Sequence, residues 1–274
     1  MPPRKRPPSH LTLAERADRH VLYQKTVQRP LNEIRFLEET FRTLRGRPPR
    51  TMREDFCGTA AMACEWARQW RDNVAVGVDL DREILDWGRA HNLSRLEPDA
   101  RRRTSLICAD VLSVVTAPVD LVIALNFSYW VFKDRAVMRT YFERVREALV
   151  PDGLLVLDAF GGYDAFRHLR ERRKYAKYTY VWNQVDYDPI SGDLLCRIDF
   201  TFPDGSELKG AFAYDWRLWT LPELRELLVE AGFAMPLVYW EGWSERRGRR
   251  TGTFSRAEKG EANAGWVCYL MAPK

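Results

Sequence analysis

Apolar residues recur at Leu31, Ile34, Leu37, Phe41 and Leu44, the spacing of one helix face, and Gly46 followed by Pro48 and Pro49 supplies a stop. A helix is therefore expected ahead of the first strand. The pattern then alternates. A short polar strand over residues 50–53, ending near Glu54, leads to a helix over 59–70, a strand over 74–78 and a helix over 82–91. Strands follow over 105–109 and 121–125, then a helix over 135–149, a turn at Pro151-Asp152-Gly153 and a strand over 154–157. Near-continuous Val, Ile and Leu in these short runs is what a parallel sheet buried on both faces requires, with the helices as crossovers.

The rhythm changes after Gly161. Strands are expected over 178–187, 194–202 and 208–219, joined by turn compositions at 188–192 and at Pro203-Asp204-Gly205, which together make an antiparallel insert. A capped helix follows, with Thr220 as N-cap, Pro222 in its first turn, Glu223 three residues after Thr220 and Gly232 at its end. Final strands fall near 237–240 and 266–271, and the polar, Gly-containing stretch 245–264 reads as a loop. The expected division is a disordered basic tail over 1–15, N-terminal helices with the core over 16–160, the insert over 161–219, and completion of the core sheet over 220–274.

Composition narrows the class. At 274 residues with 46% hydrophobic content the chain can bury a full core. The start, MPPRKRPPSH, is basic and Pro-rich with no apolar stretch behind it, so neither a signal peptide nor an anchor is expected. No run approaches the roughly 20 apolar residues of a membrane span. Cys57, Cys64, Cys108, Cys196 and Cys268 are scattered, odd in number and form no CxxC pair, which argues against a disulfide framework and a zinc site and suits a reducing cytoplasm. The net charge of +5 concentrates in the tail, in RHLRERRK (167–174) and in RRGRR (246–250). Such runs attract phosphates or form a solvated surface. Nothing in the pattern fixes an oligomeric state.

The strongest local signal is EDFCGTA, Glu54 to Ala60, between the first strand and the next helix. Gly58 lets the backbone approach a ligand, and free N–H groups at a helix start favour a carboxylate or phosphate. The following strand ends at Asp79, the roughly 20-residue interval at which nucleotide-binding folds place a ribose-binding acid. Asp81 is the better cap for the helix after it. Asp110, past the end of the strand LICAD, can accept from an adenine amino group. Acids at three successive strand ends are more than capping requires.

Together, EDFCGTA, GVDLD, CADV, ALNFSYW and LVPDGLLVLDAF resemble the ordered motifs of class I S-adenosylmethionine-dependent methyltransferases, over roughly 51–160. YDWRLWTLPELRELLVEAGF and WVCYLMA resemble that family's final helix and reversed strand pair. The resemblance implies a Rossmann-like α/β fold: a seven-stranded sheet, last strand antiparallel, helices on both faces, and S-adenosylmethionine as cofactor. It implies that Glu54 and Gly58 meet the methionine portion, Asp79 the ribose, Asp110 and Val111 the adenine, while Asn126 lies beside the sulfonium. Phe56, Cys57, Thr59 and Leu80 flank these contacts and are counted with them. Tyr23, in YQK, either folds over the cofactor or merely follows a docking helix. The family alternates glycines after the acid, whereas Phe56 and Ala60 here replace the first and third. The missing GxGxxG argues against a nicotinamide dehydrogenase.

Reactants in open α/β sheets meet beyond the carboxyl ends of the strands, which points to residues 126–130 and 158–162 for the acceptor. NFSY is similar to the Asn-Pro-Pro-Tyr box of DNA amino-methyltransferases without its prolines, and Ser128, Tyr129 and Trp130 are candidate substrate contacts or lid packing. Alignment supplies most of the rate of such a displacement, so a dedicated base can be absent. Asp158 or Tyr129 is the candidate to orient an amine or take its proton. His10, His20, His91 and His168 lie away from the strand ends. The insert resembles the antiparallel cap of small-molecule N-methyltransferases; from it Tyr214, Arg217 and Trp219 are candidate substrate contacts, with Arg217 suited to a carboxylate. The expected activity is methyl transfer to a small molecule at nitrogen. The rivals are an RNA or DNA methyltransferase using the basic runs and a cofactor-binding protein without turnover.

Overall fold

The structure is a computed structural model describing residues 11–244, 246 and 249–274. Most of the expected tail, His10 included, and positions 247 and 248 of RRGRR lie outside the described residues. Order begins before position 15, where the tail was expected to end: Thr12 and Glu15 form a reciprocal capping box that starts α1 (Leu13–Arg16). The chain continues through α2 (Arg19–Thr26), α3 (Pro30–Arg45), β1 (Thr51–Asp55), α4 (Ala61–Gln69), β2 (Val74–Asp79), α5 (Arg82–His91), α6 (Pro98–Arg102), β3 (Thr104–Cys108), β4 (Val119–Ala124), α7 (Arg135–Glu147) and β5 (Leu149–Gly161). Then come β6 (Leu169–Lys174), β7 (Thr179–Tyr187), β8 (Asp193–Thr201), β9 (Glu207–Arg217), α8 (Leu221–Glu230), β10 (Leu237–Ser244), β11 (Arg249–Arg256) and β12 (Trp266–Pro273). Among the described residues no helix is long and apolar enough to cross a membrane.

The chain forms two compact units, Arg29–Phe166 with Arg217–Lys274 and the residues up to Gln28 with Arg167–Trp216. In the larger unit eight strands run in the order β11-β10-β12-β5-β4-β1-β2-β3. Neighbours from β3 to β5 are parallel, whereas β12 is antiparallel to β5, β10 to β12 and β11 to β10. The sheet therefore has the reversed last strand that was expected and one strand more than seven. That extra strand, β11, lies within the stretch read as a loop. The expected turn at 151–153 proves to be an irregularity inside β5: Val119 of β4 pairs with Leu149 but Leu121 with Leu154. From the centre the chain runs outward through β1, β2 and β3 on one side and through β4 and β5 on the other, with helices as the crossovers. The winding diverges between β1 and β4, the point at which open α/β sheets place their ligands beyond the carboxyl ends of the strands.

The polarity of β1 has a structural reason. Arg53 and Asp55, two apart and so on one face of the strand, form a buried ion pair with Nε 2.8 Å from Oδ1. The Tyr141 hydroxyl of α7 donates to Asp55 at 3.0 Å. Asp120 of β4 accepts the Arg50 and Thr51 amides at 2.7 and 2.9 Å. On the opposite face of the sheet Met52, Leu121, Ile123, Leu154 and Val156 form a buried core with Trp66.

In the smaller unit β6, β7, β8 and β9 form an antiparallel sheet in chain order, joined by the expected turns. RHLRERRK is largely its edge strand, β6. Leu22 of α2 packs with Tyr180, Ile198, Phe200 and Ala211, which is why residues 16–28 cluster with the insert and not with the core to which the sequence reading joined them.

Candidate functional site

Five connections in the larger unit meet the carboxyl edge of its parallel strands. The first, between β1 and α4, has left-handed backbone at Phe56, Gly58 and Ala60, with φ of 56°, 51° and 55°. These are the alternating positions at which the resembled family carries glycine, and the path is kept despite the side chains at two of them. A left-handed L-residue costs roughly 1–2 kcal/mol, so surrounding contacts must hold it. Phe56 packs on Phe132 and Tyr141, each with ring centroids 5.7 Å away, and Ala60 is fully buried. The Cys57 amide donates to the Val78 carbonyl, tying the loop to β2. Ala60 cannot cap α4 with its side chain, and Glu54 does so instead, its Oε2 accepting the Ala63 amide at 2.9 Å. Thr59 is buried beneath the loop.

Asp79, ending β2, accepts the Gly58 amide at 2.7 Å and the Asp81 amide at 3.0 Å. Asp81, as expected, caps α5. Asp79 thus sets the spacing of the first two connections. Leu80 beside it is 73% exposed. Past β3, Asp110 is exposed and accepts the Leu112 amide, with Val111 buried next to it. Glu54, Phe56, Cys57, Gly58, Thr59, Asp79, Leu80, Asp110, Val111 and Asn126 therefore all lie at or just beyond the carboxyl ends of β1 to β4.

The electrostatics of this edge are acidic. Burial raises Glu54 to about 8, with Glu33, Asp79 and Asp55 adding to the rise and the Ala63 amide opposing it. Burial raises Asp158 to about 7 against the pull of the Phe127 and Asn126 amides. Glu33 is likewise raised to about 7 by burial and then by Asp158, with Arg29 opposing. Asp79 is also pushed up by burial. Sequence reasoning passed over Glu33. The available signal was its i,i+4 relation to Leu37 on the buried stripe of α3.

The connection after β4 is turned by two consecutive left-handed residues, Asn126 and Phe127, with φ of 58° and 57°. Asp158 of β5 holds both, Oδ2 accepting the Asn126 amide at 2.8 Å and Oδ1 the Phe127 amide at 2.9 Å. With each oxygen accepting a backbone amide, Asp158 positions the turn, a role the sequence reading did not give it. Tyr129 is likewise engaged: it is fully buried, and its hydroxyl donates to the Asp158 carbonyl at 2.8 Å. Trp130 is fully buried as well, so the lid-packing alternative describes both side chains better than acceptor contact. The Ser128 hydroxyl bonds back to the Leu125 carbonyl.

Arg217 does not present an open fork to a carboxylate. Its Nη2 donates to Glu223 at 2.9 Å, its Nη1 to the Lys133 carbonyl at 3.1 Å, and its guanidinium lies 3.9 Å from the Trp219 ring centroid. Trp219 is buried and donates to the Phe132 carbonyl. Tyr23 and Tyr214 belong to the smaller unit, where Tyr23 packs on Phe212 at 4.7 Å and Tyr214 on Trp216 at 4.4 Å. Among the described residues no group of His, Cys, Asp and Glu could hold a metal ion.

A parallel sheet wound outward from its centre with a reversed last strand is the class I methyltransferase layout. Solved structures share it. A S-adenosylmethionine-dependent methyltransferase from Clostridium acetobutylicum ATCC 824 is 16% identical, with 93% of this chain and 96% of that one covered and a TM-score of 0.69. An amino pentose methyltransferase from Micromonospora echinaspora, with S-adenosylmethionine bound, is 17% identical, with 91% and 95% covered and a TM-score of 0.63. A sugar N-methyltransferase from Streptoalloteichus sp. ATCC 53650 is 16% identical, with 98% of each chain covered and a TM-score of 0.59. No protein-family model and no curated protein matches the chain.

Proposed function

We propose that the larger unit binds S-adenosylmethionine along the carboxyl edge of β1, β2 and β3 and that the protein transfers its methyl group to a nitrogen of a small molecule. The observation that carries this reading is the loop at 56–60 with its left-handed backbone, its Gly58 amide bonded to Asp79 and Glu54 capping the helix after it, along an edge that also holds the buried Asp158 and the part-buried Glu33. A ligand bearing positive charge at two places, a sulfonium and an ammonium, relieves the mutual repulsion of acids along such an edge, whereas a pyrophosphate would add to it. In this reading the loop amides around Gly58 take the amino-acid end and Asp79 the ribose hydroxyls. Leu80 and Val111 cover the adenine faces, and Asp110 accepts from its amino group.

When bound, the sulfonium supplies a methyl carbon open to displacement. The protein's part is alignment. The carbonyl of Asn126, in a turn whose amides Asp158 holds, orients a neutral amine whose lone pair forms the new N–C bond. The C–S electron pair leaves with sulfur, giving S-adenosylhomocysteine, and the amine proton passes to water. The sugar and amino pentose substrates named for structures of this layout support a compact acceptor.

Titration calorimetry with S-adenosylmethionine and with S-adenosylhomocysteine tests the cofactor. The expected result is one site per chain for each, and no heat with either would end the proposal. Methyl-labelled donor incubated with a fractionated extract then tests transfer, with label expected in a low-molecular-weight amine. Label in RNA or DNA, with binding that weakens steeply in salt, would transfer the reading to a nucleic-acid acceptor.

A further inference from the structure

Beside the turn at 126–127, but outside the proposed cofactor site, the larger unit has a cavity of about 330 Å³ lined by Phe160, Phe166, Trp219, Trp240, Trp266 and Glu261 among others. It is built around glycines. A Cβ on Gly161 would meet the Trp266 ring at 2.3 Å, and one on Gly260 the Trp240 ring at 2.8 Å. The two indoles, brought together by β10 and β12, lie 5.0 Å apart at 34°. Phe160, at the end of β5, links the wall to the turn, its ring 4.8 Å from both Phe127 and Trp130.

We propose that this cavity binds an organic cation, a protonated or N-methylated amine. Five of the lining side chains are aromatic, the residue type that attracts cations, and the one charged side chain among the lining residues is the Glu261 carboxylate. Its Oε2 is held by the Asn263 amide nitrogen at 3.1 Å. An anion would find no counter-charge among the lining residues. A polyhydroxylated ligand would find few partners, because the Thr220 hydroxyl is engaged with Glu223 in the cap of α8. The molecule already uses one of these rings for a cation, since Arg217 lies over Trp219. A ligand here would sit one ring, Phe160, away from the turn assigned to the acceptor. The inference does not rest on methyl transfer, because a cation can bind with no donor present.

The test uses choline and its uncharged carbon isostere 3,3-dimethylbutan-1-ol, titrated into the full-length protein by calorimetry and saturation-transfer NMR. Choline is expected to bind about tenfold or more tightly than the alcohol. Glu261→Gln, at an exposed position, should weaken choline about fivefold or more and leave the alcohol unchanged. Trp240→Ala should abolish choline binding, and Trp240→Phe should keep much of it. Equal affinity for the two probes, binding of neither, or choline binding indifferent to both Glu261→Gln and Trp240→Ala would overturn the proposal. Should Trp240→Ala fail to fold, the Glu261→Gln arm decides. S-adenosylmethionine uptake by the same protein is measured alongside, so loss of one reading is distinguishable from loss of the other.

Discussion

Asp79 and Asp158 do the same structural work at two places, each carboxylate fixing a pair of backbone amides where the chain turns beyond a strand. Replacement by Asn leaves one oxygen and puts an N–H group against an N–H, which costs about 1–3 kcal/mol for a buried donor left unsatisfied. Asp79→Asn is expected to weaken S-adenosylmethionine binding about tenfold or more, read by calorimetry on protein whose circular dichroism matches the parent. Asp158→Asn should lower the rate of labelled methyl transfer about tenfold or more while changing cofactor affinity less, read as kcat against cofactor Kd. Equal losses in both quantities would mean that Asp158 supports the whole edge and not the acceptor turn. The acids at the strand ends were legible because their positions follow from topology alone. What the sequence hid was their engagement: no spacing rule shows that Asp158 spends both oxygens on amides, or that Tyr129 turns its hydroxyl inward to a carbonyl.

At the scale of elements, β1 is the informative case, since a polar strand at the centre of a parallel sheet breaks the expected pattern. Its Arg53 and Asp55 are nearly inaccessible, at 1% each, and depend on one another. Arg53→Met should therefore destabilise the protein by about 3–5 kcal/mol, and the double variant Arg53→Met with Asp55→Leu should recover most of that loss. Urea denaturation of the four proteins in the cycle checks it; equal instability of the single and double variants would contradict the pairing. The central strands and their helices were readable from periodicity. The strands β6 and β11 were not, because edge strands carry charge and lack a buried alternation: β6 is exposed at five of its six positions. The turn at 151–153 was misread for a related reason, as Pro-Asp-Gly composition serves a bulged strand as well as a reversal.

Across the whole molecule the buried acids give stability a pH dependence whose sign is fixed. Glu33, Glu54 and Asp158 are raised in the folded state to about 7 or 8, from ordinary values of 4.5 for Glu and 3.8 for Asp. The native chain then holds protons that the unfolded chain has lost, so their contribution is complete below pH 4 or so and fades as pH climbs through 7 to 8. The melting temperature without ligand should fall from pH 5.5 to pH 8, by about 2–4 °C for each kcal/mol given up. Glu54→Gln should flatten that slope, and S-adenosylmethionine should raise the melting temperature more at pH 8 than at pH 6. A melting temperature that rises over this range would count against the buried acid cluster.

The smaller unit is assembled from two stretches of chain far apart in sequence, and this sets an order of events during synthesis. Leu22 leaves the ribosome early, but Tyr180, Phe200 and Ala211, against which it packs, follow only some 10–40 seconds later at ordinary elongation rates. An eight-residue helix such as α2 does not persist alone in water. Its apolar face must wait, uncommitted, while the central strands are translated and begin to pair, so a nascent chain arrested near residue 170 should be a better chaperone client than the finished protein.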